Sequence, residues 1–321
     1  MNIDTNYVGI DISKDSFDIF SGDLGHKKYS NDKKGFKEFK KLIDRSHWCL
    51  MESTGSYHQQ LAATLFNEAV RVSVINPMII KRFIQMKLKR IKTDKSDAEM
   101  LSQYGREQEL DLWEPLPIYV AVCKDIQSTL QLYFKQSTAL KNNIHSLKSR
   151  GERSGILIRS LTRQLKHLRK EIEKLEVELE KQVKVEEQDL LSRLTTIPGI
   201  GKKTALLMII ATNGFRSFES QKQLVSFLGL APCERTSGSS IRGKSRINKG
   251  GNSTTRNHLF LCSFTACQRN PQCKALYDRL VSKGKSKKLA LIAVCNKLVR
   301  QAYGIAKSNL VYDPKHHSKL A

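Results

Sequence analysis

Residues 7–20 read YVGIDISKDSFDIF. Val8, Ile10 and Ile12 alternate with Gly9 and Asp11, four polar residues follow, and apolar residues return at Phe17 and Ile19. That alternation predicts a strand, a short turn and a second strand. Asp11 thus sits in a strand-like apolar setting, whereas Asp15 and Asp18 are expected to face solvent.

Working outward, GFKEFKKLI (35–43) predicts a short amphipathic helix and WCLME (48–52) a buried strand ending in an acid. Residues 57–69 return to helical spacing, and VRVSVI (70–75) predicts another strand, stopped by Asn76-Pro77. One long polar helix is expected over about 78–105. Strands alternating with helices predict an α/β sheet with parallel pairs.

LWEPLP (112–117) reads as a linker. Ile126, Leu130, Tyr133, Leu140, Ile144 and Leu147 then recur at helical spacing, and GERSG (151–155) breaks the helix. In the next helix Ile158, Leu161, Leu165, Leu168, Ile172, Leu175 and Leu179 step by three and four through three heptads. This predicts a coiled coil or helical hairpin acting as an oligomerisation arm; the alternative is a helix packed on its own domain. From 191 the chain reads as compact and mostly helical, with a Gly/Ser/Arg/Lys-rich segment at 235–253. The expected domains are 1–115, 116–190 and 191–321.

The 321 residues carry 55 Lys/Arg against 31 Asp/Glu, a net charge of +24. Residues 201–321 hold 22 basic and 4 acidic residues, a net of +18. This balance points to a polyanion partner rather than to an acidic protein surface alone, and nucleic acid is the leading polyanion. At 40% hydrophobic residues, wholesale disorder is excluded too. No apolar run suits a bilayer and the N-terminus has no signal-peptide pattern, so a cytoplasmic, nucleoid-associated location without membrane is expected. The seven cysteines form no CxxC pairs, which fits a reducing compartment. Cys262, Cys267 and Cys273 with His258 lack zinc spacing and read as core thiols.

Three motifs carry chemistry. Asp11 and Glu52 end strand-like runs, and Asp94 and Asp97 in IKTDKSDAEM lie one helical turn apart. Four carboxylates suit one or two Mg²⁺ ions, which neutralise charge in phosphoryl transfer; otherwise Asp94 and Asp97 are solvated helix acids and Asp11 a turn residue. LTTIPGIGKKTALLMI (194–209) resembles a helix-hairpin-helix, in which Gly199 and Gly201 allow close approach and Lys202 and Lys203 reach a phosphate. The alternative is a plain turn between helices. Residues 229–260 surround Ser237, Gly238, Ser239 and Ser240 with Arg235, Arg242, Lys244, Arg246, Lys249 and Arg256. This is either a serine nucleophile among cations or a phosphate-binding loop.

With these motifs in order, the chain resembles the DEDD transposases of insertion-sequence family one-ten, relatives of the Piv and MooV invertases and of bridge-RNA-guided recombinases. The resemblance rests on YVGIDISKDSFD, MESTGSY, KTDKSDAEML, IPGIGKKTA, the stretch LVSFLGLAPCERTSGSSIRGKSRINKGGNSTTRNHLF and KKLALIAVCNKLVRQAYGI. It implies a RuvC-like, ribonuclease-H-type N-terminal domain, a coiled-coil insertion and a mostly α-helical C-terminal transposase domain. It implies Mg²⁺ (or Mn²⁺) on Asp11, Glu52, Asp94 and Asp97, with no nucleotide cofactor. Ser237, directly before Gly238, matches the essential serine, although Thr236 stands where many relatives carry a second serine and Ser239 and Ser240 follow closely. Donor and target DNA, a noncoding bridge RNA and a dimer or tetramer are the implied partners. In such a tetramer the two halves of the site meet between subunits. A RuvC-type junction nuclease using water, and a non-catalytic nucleic-acid-binding protein, are the alternatives.

Overall fold

The first strand, β1 (Asn6–Ile12), alternates because its two faces meet different partners. It lies at the centre of a five-stranded sheet with β2 (Ser16–Ser21), β3 (Gly25–Ser30), β4 (His47–Glu52) and β5 (Arg71–Ile75), in the order β3-β2-β1-β4-β5. β1, β4 and β5 run parallel, whereas β2 is antiparallel to both β1 and β3. This computed structural model describes residues 6–53, 55–88, 93–151, 155–233, 236–237, 241–242, 246–248 and 250–315, with backbone alone at 236–237 and 241–242.

One sheet face carries Val8, Ile10, Ile12, Phe17, Ile19, Cys49, Met51 and Val72. They bury against Phe36 and Phe39 of α1 (Lys33–Lys40) and Leu61, Ala62 and Leu65 of α2 (Gln59–Asn67). Burying a side chain of this size stabilises by roughly 1.5–3 kcal/mol. The other face receives α4 (Asp94–Glu107) across β1, and the Ser102 hydroxyl donates to the Tyr7 carbonyl oxygen at 2.7 Å. Gly9 makes this approach possible, since a β-carbon there would collide with the Ala98 carbonyl oxygen.

The single helix expected over 78–105 is two helices. α3 (Pro77–Met86) starts with Asn76 as its cap and Pro77 in the first turn. It ends at Lys87, and Leu88 adopts φ +53°, which no α-helix continues. Thr93 and Ser96 then cap α4 reciprocally. The edge strand β3, GHKKYS, was not expected at all: it has no apolar alternation to betray it.

The compact units are Met1–Pro115 and Leu116–Ala321. In the second, α5 (Ile118–Ser149) and α6 (Gly155–Thr195) pair as a long helical hairpin, and α6 runs across residue 190 without ending. The heptad positions Leu165, Ile172 and Leu179 are buried; Leu161, Leu168 and Leu175 are half-buried. Around the foot of α6 pack α7 (Lys202–Thr212), α8 (Gln221–Phe227), α9 (Ser253–Arg269), α10 (Pro271–Ser282) and α11 (Lys287–Ser308). Their shared core includes Leu194, Met208, Ile209, Leu224, Leu259, Ala266, Val294 and Leu298. Among the described residues between α8 and α9 are the two-residue strands β6 (Pro232–Cys233), β7 (Thr236–Ser237), β8 (Ile241–Arg242) and β9 (Arg246–Ile247). Among the described residues no helix is long and apolar enough to cross a membrane.

Candidate active site

Asp11 shares the Gly9 face of β1, the face on which α4 lies. The last registered pair between β1 and β4 is Ile10 with Met51, so Asp11 and Glu52 stand one residue further on, at the carboxyl ends of neighbouring strands. The α4 first turn supplies Asp94 and Asp97, whose charges are favoured there by the helix dipole. Asp11 registers the convergence: burial, then Asp97, Asp94, Glu52 and Asp18 in that order, push its carboxyl up to about 6.

Asp18 corrects a sequence expectation. It is buried at 5% exposure rather than facing solvent, and it lies directly opposite Asp11 across β1 and β2. Its partners come from β3: His26 Nε2 at 2.8 Å and the Lys28 ammonium at 3.1 Å. Lys28 also lies 3.8 Å from Asp94, whose side chain is otherwise largely exposed. The Asp18–Lys28 pair thus joins the acidic cluster, and no sequence signal marked it because β3 itself left none.

Among the described residues no three His, Cys, Asp or Glu side chains stand close enough to chelate an ion as placed. In donor chemistry, an all-carboxylate set, one member of which burial and its acidic neighbours push up to about 6, fits a hard divalent cation.

In the second unit the backbone of Ser237 lies in β7, opposite Ile241 of β8, while Arg242 is opposite Thr236. Ser239, Ser240, Arg235, Lys244 and Lys249 lie outside the described residues. Arg246 is exposed on β9. Arg256 donates to the carbonyl oxygens of Leu228 at 3.1 Å and Gly250 at 3.3 Å, so it braces the start of α9.

Gly199 has φ +106°, and a β-carbon there would meet Ala266 Cβ at 2.7 Å; this glycine is used for packing against α9. Gly201 caps α7 and has open space beside it. Lys202 pairs with Glu180 at 2.5 Å, and Lys203 pairs with Glu176 while lying 5.2 Å from the Phe134 ring. Both lysines are about half exposed, so these pairs contribute at most ~1 kcal/mol each.

One polar cluster escaped the sequence reading. Glu187, buried at 8% exposure, interrupts α6 with φ −136° and ψ 32°. It pairs with Arg216 at 2.5 Å and accepts from the Tyr119 hydroxyl at 2.8 Å.

Comparison with known proteins agrees along nearly the whole chain. Residues 8–149 match the DEDD transposase model of IS110 type, and residues 191–278 match the model for transposases of the IS116/IS110/IS902 family. Pilin gene-inverting proteins of Moraxella bovis and Moraxella lacunata are each 31% identical over 324 residues, covering 97% of this chain and 98% of their own. A transposase for insertion sequence element IS1328, from Yersinia enterocolitica, is 24% identical over 340 residues, covering 95% of this chain and 98% of its own. An acidic strand-end cluster in the first unit, a serine strand in the second and these matches lead to one conclusion: the chain belongs to the IS110-family DEDD transposases.

Proposed function

We propose that this transposase cuts and rejoins DNA through a divalent-metal site on Asp11, Glu52, Asp94 and Asp97 and a covalent bond to Ser237, guided by a structured bridge RNA. The observation that carries the reading is the state of Asp11, whose carboxyl is pushed up to about 6 by burial and three of these neighbours. The strand order β3-β2-β1-β4-β5, with β2 antiparallel, supports a ribonuclease-H-type, RuvC-like unit, in which acids at the ends of β1 and β4 serve phosphoryl transfer.

Bound there, Mg²⁺ or Mn²⁺ would supply Lewis-acid stabilisation of charge on the phosphate oxygens. The carboxylates would hold it, and Lys28, paired with the buried Asp18, lies 3.8 Å from Asp94 beside them. The Ser237 hydroxyl loses its proton and attacks phosphorus. The phosphodiester P–O bond breaks, its oxygen leaves as a hydroxyl on one strand end, and phosphorus stays ester-linked to Ser237. A hydroxyl from another strand end reverses the step and frees the serine, so the bond count is conserved and no nucleotide cofactor is required. Sequence choice belongs to base pairing with the RNA, while the basic second unit grips backbone.

The test is strand transfer by the purified protein with its co-purifying RNA and Mg²⁺. Asp11→Ala and Ser237→Ala each abolish it while DNA binding persists. Cutting that survives in Ser237→Ala would establish the water-dependent nuclease instead, and activity in Asp11→Ala would remove the acids from the mechanism.

A further inference from the structure

The helical hairpin is polarised in charge. Residues 126–170 carry ten Lys/Arg and one acid, Glu152, a net of +9. Residues 171–190, the foot of the same hairpin, carry eight acids and three lysines, a net of −5. At the foot the acids have internal partners: Glu176 pairs with Lys203, Glu180 with Lys184 and Lys202, and Glu187 with Arg216. Along the distal half, no ion pair is present among the described residues.

The distal cations are arranged in stripes. On α6, Arg159, Arg163, Lys166 and Lys170 step by four, three and four, so they share one helix face, and all are exposed. On α5, Lys141 and Lys148 lie two turns apart and are exposed too. Between the helices, Gln136, Asn143, Arg163, Gln164 and His167 rim a groove of about 640 Å³ floored by Leu140 and Leu168. A solvated coiled-coil face ordinarily intersperses signs, because like charges three or four apart destabilise a helix by ~0.2–0.5 kcal/mol per pair. Here that cost is incurred repeatedly, with no ion pair among the described residues to offset it.

We propose that the distal half of the hairpin is a grip for the phosphate backbone of a nucleic-acid duplex. The α6 stripe is about 17 Å long at 1.5 Å per residue, and a duplex presents about ten charges over that length. The inference rests on the reading of the protein as a nucleic-acid recombinase and adds a contact surface remote from Ser237 in sequence.

The experiment compares full-length protein with the variant Arg159→Gln, Arg163→Gln, Lys166→Gln and Lys170→Gln, measuring affinity for a DNA duplex and an RNA duplex from 50 to 300 mM salt. Circular dichroism and sedimentation report fold and mass. The expected result is an intact variant that binds at least one duplex about tenfold or more weakly, with a salt slope reduced by about two to four; the duplex affected names the ligand. Unchanged affinity and slope would overturn the inference, and a fall in mass alone would assign the stripe to a second copy of the chain. If the parent protein bound neither duplex, the recombinase reading itself would fall. Should the variant not fold, Lys141→Gln with Lys148→Gln is read in its place, with an expected slope reduction of about two.

Discussion

Gly9 of β1 and Ala98 of α4 meet backbone to backbone: a β-carbon at Gly9 would collide with the Ala98 carbonyl oxygen and the Ser102 amide and meet Leu101 Cβ at 2.9 Å. The contact sets how near α4 comes to the sheet, and therefore where Asp94 and Asp97 stand relative to Asp11. Gly9→Ala forces the helix away and costs about 2–4 kcal/mol, since neither obstructing group is a movable side-chain tip. A urea titration of the variant checks this, and strand transfer falls with stability because the acids separate.

Asp11 makes stability depend on pH in a direction opposite to most buried-pair carboxylates. Its carboxyl titrates at about 6 in the fold against an ordinary 3.8, so the folded protein binds the extra proton between those values. The stability this confers is complete below about pH 4 and is lost as pH rises through 6. Asp11→Asn therefore melts higher than the parent at pH 8, by up to about 2 kcal/mol in stability once solvent screening is allowed for, and the two converge near pH 4. Mg²⁺ at pH 8 raises the parent's melting temperature and leaves that of Asp11→Asn nearly unchanged. A variant less stable than the parent at pH 8 would show that the charge on Asp11 is compensated within the fold.

How much of this was legible beforehand follows from where the signals lie. β1, β2, β4 and β5 announce themselves by alternating or continuous apolar residues, and the strand-end positions of Asp11 and Glu52 follow from them. β3 was invisible because His26, Lys27 and Lys28 carry no apolar period, and the burial of Asp18 was invisible with it. The break after α3 was missed because it rests on a positive φ at Leu88, with neither glycine nor proline to mark it. The ion pairs of Lys202 and Lys203 depend on acids more than twenty residues earlier on α6, beyond any local pattern.

Glu187 tests the foot of the hairpin. Arg216→Ala leaves a buried carboxylate with the Tyr119 hydroxyl as its remaining described hydrogen-bond partner. Glu187 is covered but the Arg216 side chain is 57% exposed, so solvent screens the loss and the cost is about 1–2 kcal/mol. Calorimetry on Arg216→Ala and on Arg216→Ala with Glu187→Gln reads this out, and the double variant recovers part of the loss because the unpaired charge is gone.

Lys202 and Lys203 separate packing from phosphate contact. Replacing both with Gln removes two half-exposed ion pairs, an expected loss of at most ~1–2 kcal/mol in denaturant titration. If the start of α7 grips phosphate, the same variant loses about two units from the salt slope of DNA binding. An unchanged slope would assign both lysines to holding α7 against α6.

The most direct test of the shared metal–serine chemistry is the covalent intermediate. Protein, RNA, DNA and Mg²⁺ are quenched in denaturant, digested with trypsin and searched by mass spectrometry for nucleotide attached to Thr236–Arg242, the segment trypsin releases between Arg235 and Arg242. The account predicts an adduct on Ser237 that disappears in Asp11→Ala and in Ser237→Ala and survives in Ser239→Ala and Ser240→Ala. Strand transfer without any protein–DNA adduct, or an adduct that persists in Ser237→Ala, would contradict it.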